Sequence, residues 1–424
     1  MAKTITGKQV GDSYYQVEHP SGLTVLLYPK EHCSTTYAIF GTRYGSIDNC
    51  FQRSDEAGPE SVPEGIAHYL EHKLFESEEG DAFERFSKTG ASANAFTSFE
   101  STCYLFSTTD QVYQSLEILL DFVQSPYFTE ETVRKEQGII GQEIKMYDDD
   151  PQWRVMFNYL KAMYHSHPIR EDIAGTVESI AKITPELLYR CYNTFYNLGN
   201  MVLAIAGNFQ VDKALAVCDK MLKPAAPVTV KRVFPQEPDT IVQPVVEERL
   251  SVASPLFQFG FKEPGADQPR SEKDVAATEV LLETLASDAS PLFRRLLDQG
   301  LVNESSFSYE YFEGNGYATV MFSGESKDPQ AVAQAILEEV ERFQREGIPA
   351  EAFERSKRAL YGELVAALNS TGSIANGLVN MHLKGRELFT YIDSLASLRL
   401  EDGEERLRQV FQRERSVLSV ILPH

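Results

Sequence analysis

The chain reads as two copies of one plan. At an offset of 220 positions, residues 37–45 (Tyr-Ala-Ile-Phe-Gly-Thr-Arg-Tyr-Gly) correspond to residues 257–265 (Phe-Gln-Phe-Gly-Phe-Lys-Glu-Pro-Gly). Each copy looks like an apolar strand leaving through a glycine turn. The same offset aligns Val133–Glu143 with Phe353–Glu363, both predicted helical, and each half closes on an apolar strand, Met201–Ala206 or Val417–Leu422. Within each half, short β-branched runs alternate with longer amphipathic segments. Such a duplication points to an α+β fold of two similar halves, each a mixed sheet with helices on one face. Between the copies lie Pro224, Pro227, Pro235, Pro238 and Pro244. Proline at this density blocks regular helix and predicts an extended connector. The predicted organisation is therefore residues 1–222, a linker at 223–245, and residues 246–424.

One short stretch carries the chemistry. His68, Glu71 and His72 form H-x-x-E-H, the inverted form of the zinc-peptidase helix signature. Residues four apart share a helix face, so both imidazoles can grip one metal ion. Glu71, one turn from His68, is placed to act as general base toward the attacking water. Ser61 and Glu64 have capping-box spacing, and Ile66, Leu70 and Leu74 form an apolar stripe that can anchor the helix. Two histidines do not complete a catalytic zinc site, which ordinarily takes three protein ligands. The candidates for the third are Glu136 and Glu143, seven apart and so on one helix face. At 1.5 Å rise their backbones lie roughly 10 Å apart, so one binds the metal and the other supports, for example by orienting an imidazole.

Composition excludes other classes. The 424 residues carry a net charge of −22, which argues against nucleic acid or an anionic membrane as the main partner. Cys33, Cys50, Cys103, Cys191 and Cys218 form no C-x-x-C pair, as expected of free thiols in a reducing compartment. The first residues have no signal-type apolar core, and the longest apolar runs are far too short to span a bilayer, so a cytoplasmic protein is expected. Asp148–Asp150 lacks the alternation of a calcium loop and reads as a helix-ending run. His165 and His167 have poor spacing for one helix face and read as structural. No G-x-S-x-G or P-loop is present.

Together these residues resemble the pitrilysin–insulinase metallopeptidases, in the branch of mitochondrial processing peptidase. The resemblance rests on H-x-x-E-H, on Glu136-x6-Glu143 about seventy residues later, on Gly90–Ser98 (Gly-Ala-Ser-Ala-Asn-Ala-Phe-Thr-Ser) and on Ser370–Asn376. It implies two homologous halves with mostly antiparallel sheets, the metallohydrolase fold of LuxS and the processing peptidases. It implies one Zn2+ per chain held by His68, His72 and Glu143, with Glu71 as base and Glu136 behind the ligands. Asn94 and Ala95 would lie in an edge strand that holds substrate backbone by β-augmentation. The second half departs from the pattern. Where family members carry an R-x6-Y pair that holds the scissile carbonyl, this chain has Leu297 and Asn303. Tyr309, Tyr311 and Arg294 are the nearby substitutes. The chain is thus similar to the zinc-carrying member of a bacterial two-subunit pair, with peptide substrates and a homologous partner, or a second copy, completing the site. The competing expectation is a non-catalytic scaffold or peptide-binding subunit.

Overall fold

The computed structural model describes residues 2–78, 80–265 and 270–424, which form two compact units. Unit 1 comprises Met1–Ile144, Glu171–Val233 and Val365–Thr390; unit 2 comprises Lys145–Arg170, Phe234–Leu364 and Tyr391–His424. The units interleave in sequence.

Unit 1 is built on a seven-stranded sheet. Its strands are β1 (Lys3–Thr6), β2 (Ser13–Glu18), β3 (Thr24–Pro29), β4 (Thr36–Thr42), β5 (Ser92–Thr97), β6 (Thr102–Thr108) and β7 (Met201–Gly207). They lie in the order β1-β2-β3-β7-β4-β6-β5, and only β3 and β7 run parallel. Unit 2 carries β8 (Val245–Leu250), β9 (Leu256–Lys262), β10 (Ser308–Gly314), β11 (Tyr317–Glu325) and β12 (Ser416–Pro423). Their order is β8-β12-β9-β11-β10, again with one parallel pair, β8 and β12. Leaving aside β1 and β2, both sheets follow one rule: first, last, second, fourth, third. The offset read from the sequence is thus a duplicated topology, mixed α+β and mostly antiparallel. The closing strand of each copy is the one inserted mid-sheet. In β7 every residue is buried, which accounts for its unbroken apolar run.

Among the helices are α1 (Ile66–Leu74), α2 (Glu130–Asp148), α3 (Pro151–Met163), α4 (Glu272–Ala286), α5 (Ala350–Ala367) and α6 (Thr371–Leu383). α6 comes from the second half of the sequence yet packs on β4 and β7 of unit 1. Gly41 permits this approach, because a Cβ there would meet Val379 Cγ1 at 2.9 Å. Asn376 Nδ2 donates to Tyr37 Oη at 3.1 Å, and Ser370 caps the helix by accepting from Ser373 N. Conversely α3, from the first half, packs on β9 and β12 of unit 2, where Tyr159 Oη and Thr319 Oγ1 lie 2.6 Å apart. Asp148 ends α2, and Asp150 caps α3 by accepting from Gln152 N and Trp153 N. His167 is a buried structural residue, its Nε2 2.9 Å from Asn315 O. All five cysteines are unpaired, three of them buried.

Part of the proline-rich segment is bound tightly. Lys262 Nζ, on the buried end of β9, is ringed by four acceptors for its three N–H groups: Glu237 Oε1 (2.6 Å) and the carbonyls of Met163, Pro238 and Thr240 (3.1, 2.7 and 2.9 Å). Burial opposes the charge on Glu237, but Lys262 and the backbone N–H groups of His165, Ser166 and His167 outweigh it, and the carboxyl falls to about 2. A depressed carboxylate stabilises the fold above its ordinary value, and that contribution drains away as pH falls from about 4.5 through about 2. Lys262→Met strips the buried partner and should cost about 3 kcal/mol. Thermal melts should therefore show a drop of roughly 6–12 °C at neutral pH. The gap between wild type and variant should narrow on acidification through that window. A gap independent of pH would refute the assignment.

Candidate metal centre and general base

α1 does not start as the capping-box spacing suggested. Ser61 lies in a two-residue strand, Glu60–Ser61, paired with Cys50, and the residue capping α1 is Gly65 at φ 84° with no side-chain cap. The reason is a close backbone crossing. A Cβ on Gly65 would meet Ala174 O at 2.3 Å, and one on Gly175 (φ 74°) would meet Glu64 O at 2.6 Å. Only glycine satisfies both the left-handed conformation and the contact. Ile66, Leu70 and Leu74 are buried as the stripe predicted. Gly65→Ala should destabilise unit 1 by about 2–3 kcal/mol and displace the start of α1. The check is a lower melting temperature together with reduced zinc content; an unaltered protein would contradict it.

α2 supplies the other side of the site. Its buried residues are Val133, Ile140 and Ile144, and Glu136 and Glu143 fall on the same side, two turns apart. The Tyr69 hydroxyl donates to Val133 O and ties α1 to α2. His68 Nε2 lies 3.7 Å from Glu143 Oε1, and His72 Nε2 lies 3.4 Å from Glu143 Oε2. One donor atom from each of His68, His72 and Glu143 falls within 4.8 Å of the others. Ligands about 2.0–2.1 Å from a tetrahedral zinc stand about 3.3 Å from one another, so this donor set fits the ion. His72 Nδ1 is 3.0 Å from Glu136 Oε1, which fixes the ring and leaves Nε2 directed at the centre. The rings of His68 and His72 are 4.6 Å apart and inclined at 66° to each other.

The electrostatics separate the two imidazoles. Burial, and then the neighbouring His72, push His68 down to about 4, so it is neutral at pH 7 as a ligand must be. Burial alone would lower His72, but the hydrogen bond to Glu136 and the charges of Glu143 and Glu71 raise it. Glu136 itself stays below the usual carboxylate range, because His72 overcomes its burial. Glu71 is raised by burial, with the Thr97 hydrogen bond and His72 opposing that rise. A raised carboxylate is the better proton acceptor.

Residues 60–177 match the family model for insulinase, peptidase family M16, and residues 182–360 match the peptidase M16 inactive domain. Over 428 residues, covering all of both chains, the protein is 39% identical to the uncharacterized zinc protease YmfH of Bacillus subtilis. The chain belongs to the insulinase family, peptidase M16. A second Bacillus subtilis relative, the uncharacterized zinc protease YmxG, is 27% identical over 367 residues, covering 85% of this chain and 88% of its own. Among solved structures, an M16-like peptidase from Alicyclobacillus acidocaldarius superposes with a TM-score of 0.91 at 35% identity, covering 100% of this chain and 98% of that one.

In this M16 chain β5 is the outermost strand of its sheet, paired on one side with β6. Asn94 lies opposite Leu105 and Ala95 opposite Tyr104, and Ala95 N–H is taken by the Asn94 side-chain oxygen at 2.9 Å. The candidate substitutes for the Arg/Tyr pair are differently placed. Tyr309 Oη donates to Glu283 at 2.5 Å and Tyr311 Oη to Glu263 at 2.6 Å, both within unit 2, and Arg294 is exposed. Leu297 and Asn303 flank the end of the short helix Pro291–Asp298. One contact had no signal in the sequence: Thr97 Oγ1 donates to Glu71 Oε2 at 2.6 Å. Thr97 falls inside the Gly90–Ser98 stretch, but nothing in its neighbours marks which way its hydroxyl turns.

Proposed function

We propose that this chain is a zinc-dependent endopeptidase of the processing-peptidase branch, acting on short or unfolded, extended peptides. The observation that carries the reading is the convergence of His68, His72 and Glu143 from two helices, with Glu71 on the same turn as both imidazoles. Bound zinc supplies Lewis acidity and an acidified water. The protein's own residues do the rest. His68, His72 and Glu143 hold the ion, and Glu136 keeps His72 in the ligating tautomer. Glu71 takes the proton of the attacking water and returns it to the leaving amine. The exposed edge of β5 at Asn94 and Ala95 holds the substrate backbone as an added strand, which selects extension over sequence. The metallopeptidase domain is residues 1–222, followed by a linker at 223–245 and the metal-free homologous domain at 246–424.

The active form includes a homologous partner subunit or a second copy that supplies the Arg/Tyr pair. Leu297 and Asn303 offer no donor comparable to guanidinium and phenol, and Tyr309 and Tyr311 are engaged by carboxylates. The five unpaired cysteines support a cytoplasmic setting, and no helix among the described residues is long and apolar enough to cross a membrane. The same defect in the second half favours one rival, a non-catalytic peptide-binding subunit. A peptide-library digest by the chain alone, and then with a homologue that carries R-x6-Y, tests both readings. Cleavage with about one zinc per chain is the expected result. No cleavage in either arm, with substoichiometric zinc, would leave the scaffold.

A further inference from the structure

We propose that Thr97 is a positioning residue for Glu71, coupling the orientation of the base to the edge strand; this rests on the peptidase reading. Its hydroxyl reaches Glu71 Oε2 at 2.6 Å, a short hydrogen bond to a carboxylate. The donor is held by its place on the strand and by its own side-chain stiffness. Thr97 closes β5 and is paired across the sheet with Thr102. Its β-branched side chain has few χ1 choices. Thr102 Oγ1, itself donating to Tyr44 O at 2.9 Å, stands 3.4 Å from the Thr97 hydroxyl. Glutamate has three side-chain torsions and would otherwise sample many rotamers. With Oε2 held by Thr97, Oε1 is the oxygen left for proton transfer.

The coupling follows from where the threonine sits. Thr97 is two residues beyond Ala95 on the same six-residue strand. A peptide that pairs with β5 lies along the same strand that carries the donor aiming the base. Substrate engagement and base orientation thus share one element.

The test compares Thr97→Val, which keeps shape and removes the donor, with Thr97→Ser, which keeps the donor. Both are assayed as zinc-loaded full-length chain, with whatever partner gives wild-type cleavage. The valine variant should lose roughly 10- to 100-fold in kcat with KM within about twofold of wild type. Its zinc content and melting temperature should be unchanged, and the serine variant should recover most of kcat. A valine variant with wild-type kcat would overturn the inference. So would a serine variant as slow as valine, a loss confined to KM, or loss of zinc or early melting in the valine protein, which would make Thr97 structural. Equal cleavage by wild type and Glu71→Gln would instead remove Glu71 as the base, and the role of Thr97 with it, whereas a zinc-loaded wild-type protein that cleaves no peptide would bring down the peptidase reading itself.

Discussion

Glu71→Gln should abolish peptide cleavage while leaving the protein folded and zinc-loaded. The substitution is isosteric and spares His68, His72 and Glu143, so the donor cluster keeps its geometry. The amide can still accept the hydrogen bond from Thr97, so the local packing persists. It cannot take a proton from water. General-base catalysis contributes roughly 10²–10⁴-fold, and the loss in kcat should fall in that range or beyond. Zinc content by elemental analysis and turnover of a quenched-fluorescent peptide are the two readouts. Undiminished turnover would remove Glu71 from the mechanism; loss of zinc would show that it serves the metal instead.

Glu143→Gln should have the complementary signature, losing metal first and activity as a result. Glu143 faces both imidazoles, at 3.7 and 3.4 Å, and it supplies the only carboxylate in the cluster. Perturbing an outer-shell partner typically costs 10–100-fold in metal affinity, and removing a direct ligand should exceed about 100-fold. Glu136→Gln is the internal control. It touches His72 Nδ1 and should fall within the smaller range. Competition with a chromophoric chelator ranks the three proteins. If Glu136→Gln proved the weaker binder, the roles of the two carboxylates would be exchanged.

The sequence disclosed different parts of this molecule to different depths. His68, Glu71 and His72 were legible because helical periodicity alone places them together, over a span too short for tertiary structure to rearrange. Glu136 and Glu143 were legible as a pair. Which one meets the imidazoles depends on how α2 crosses α1, set by contacts such as Tyr69 to Val133, and only the family resemblance favoured Glu143. The duplication was legible from its shared offset, and the common strand order of both sheets bears it out. The cap at Ser61 was misread, because its side-chain pattern ignored a backbone crossing far along the chain, at Ala174 and Gly175. The placement of α3 and α6 was beyond reach. An amphipathic pattern states that one face must be covered; it does not say which sheet covers it. Thr97 illustrates the same limit at the scale of one hydroxyl.

The interleaving of the two units has a consequence for the life of the molecule. The polypeptide passes from one unit to the other five times, after residues 144, 170, 233, 364 and 390. A protease that nicks the proline-rich stretch therefore yields two fragments, each holding a helix that the other fragment's sheet requires. Neither piece should fold to completion alone. The nicked protein should elute as a single species under native conditions, and separately expressed fragments should become ordered only when mixed.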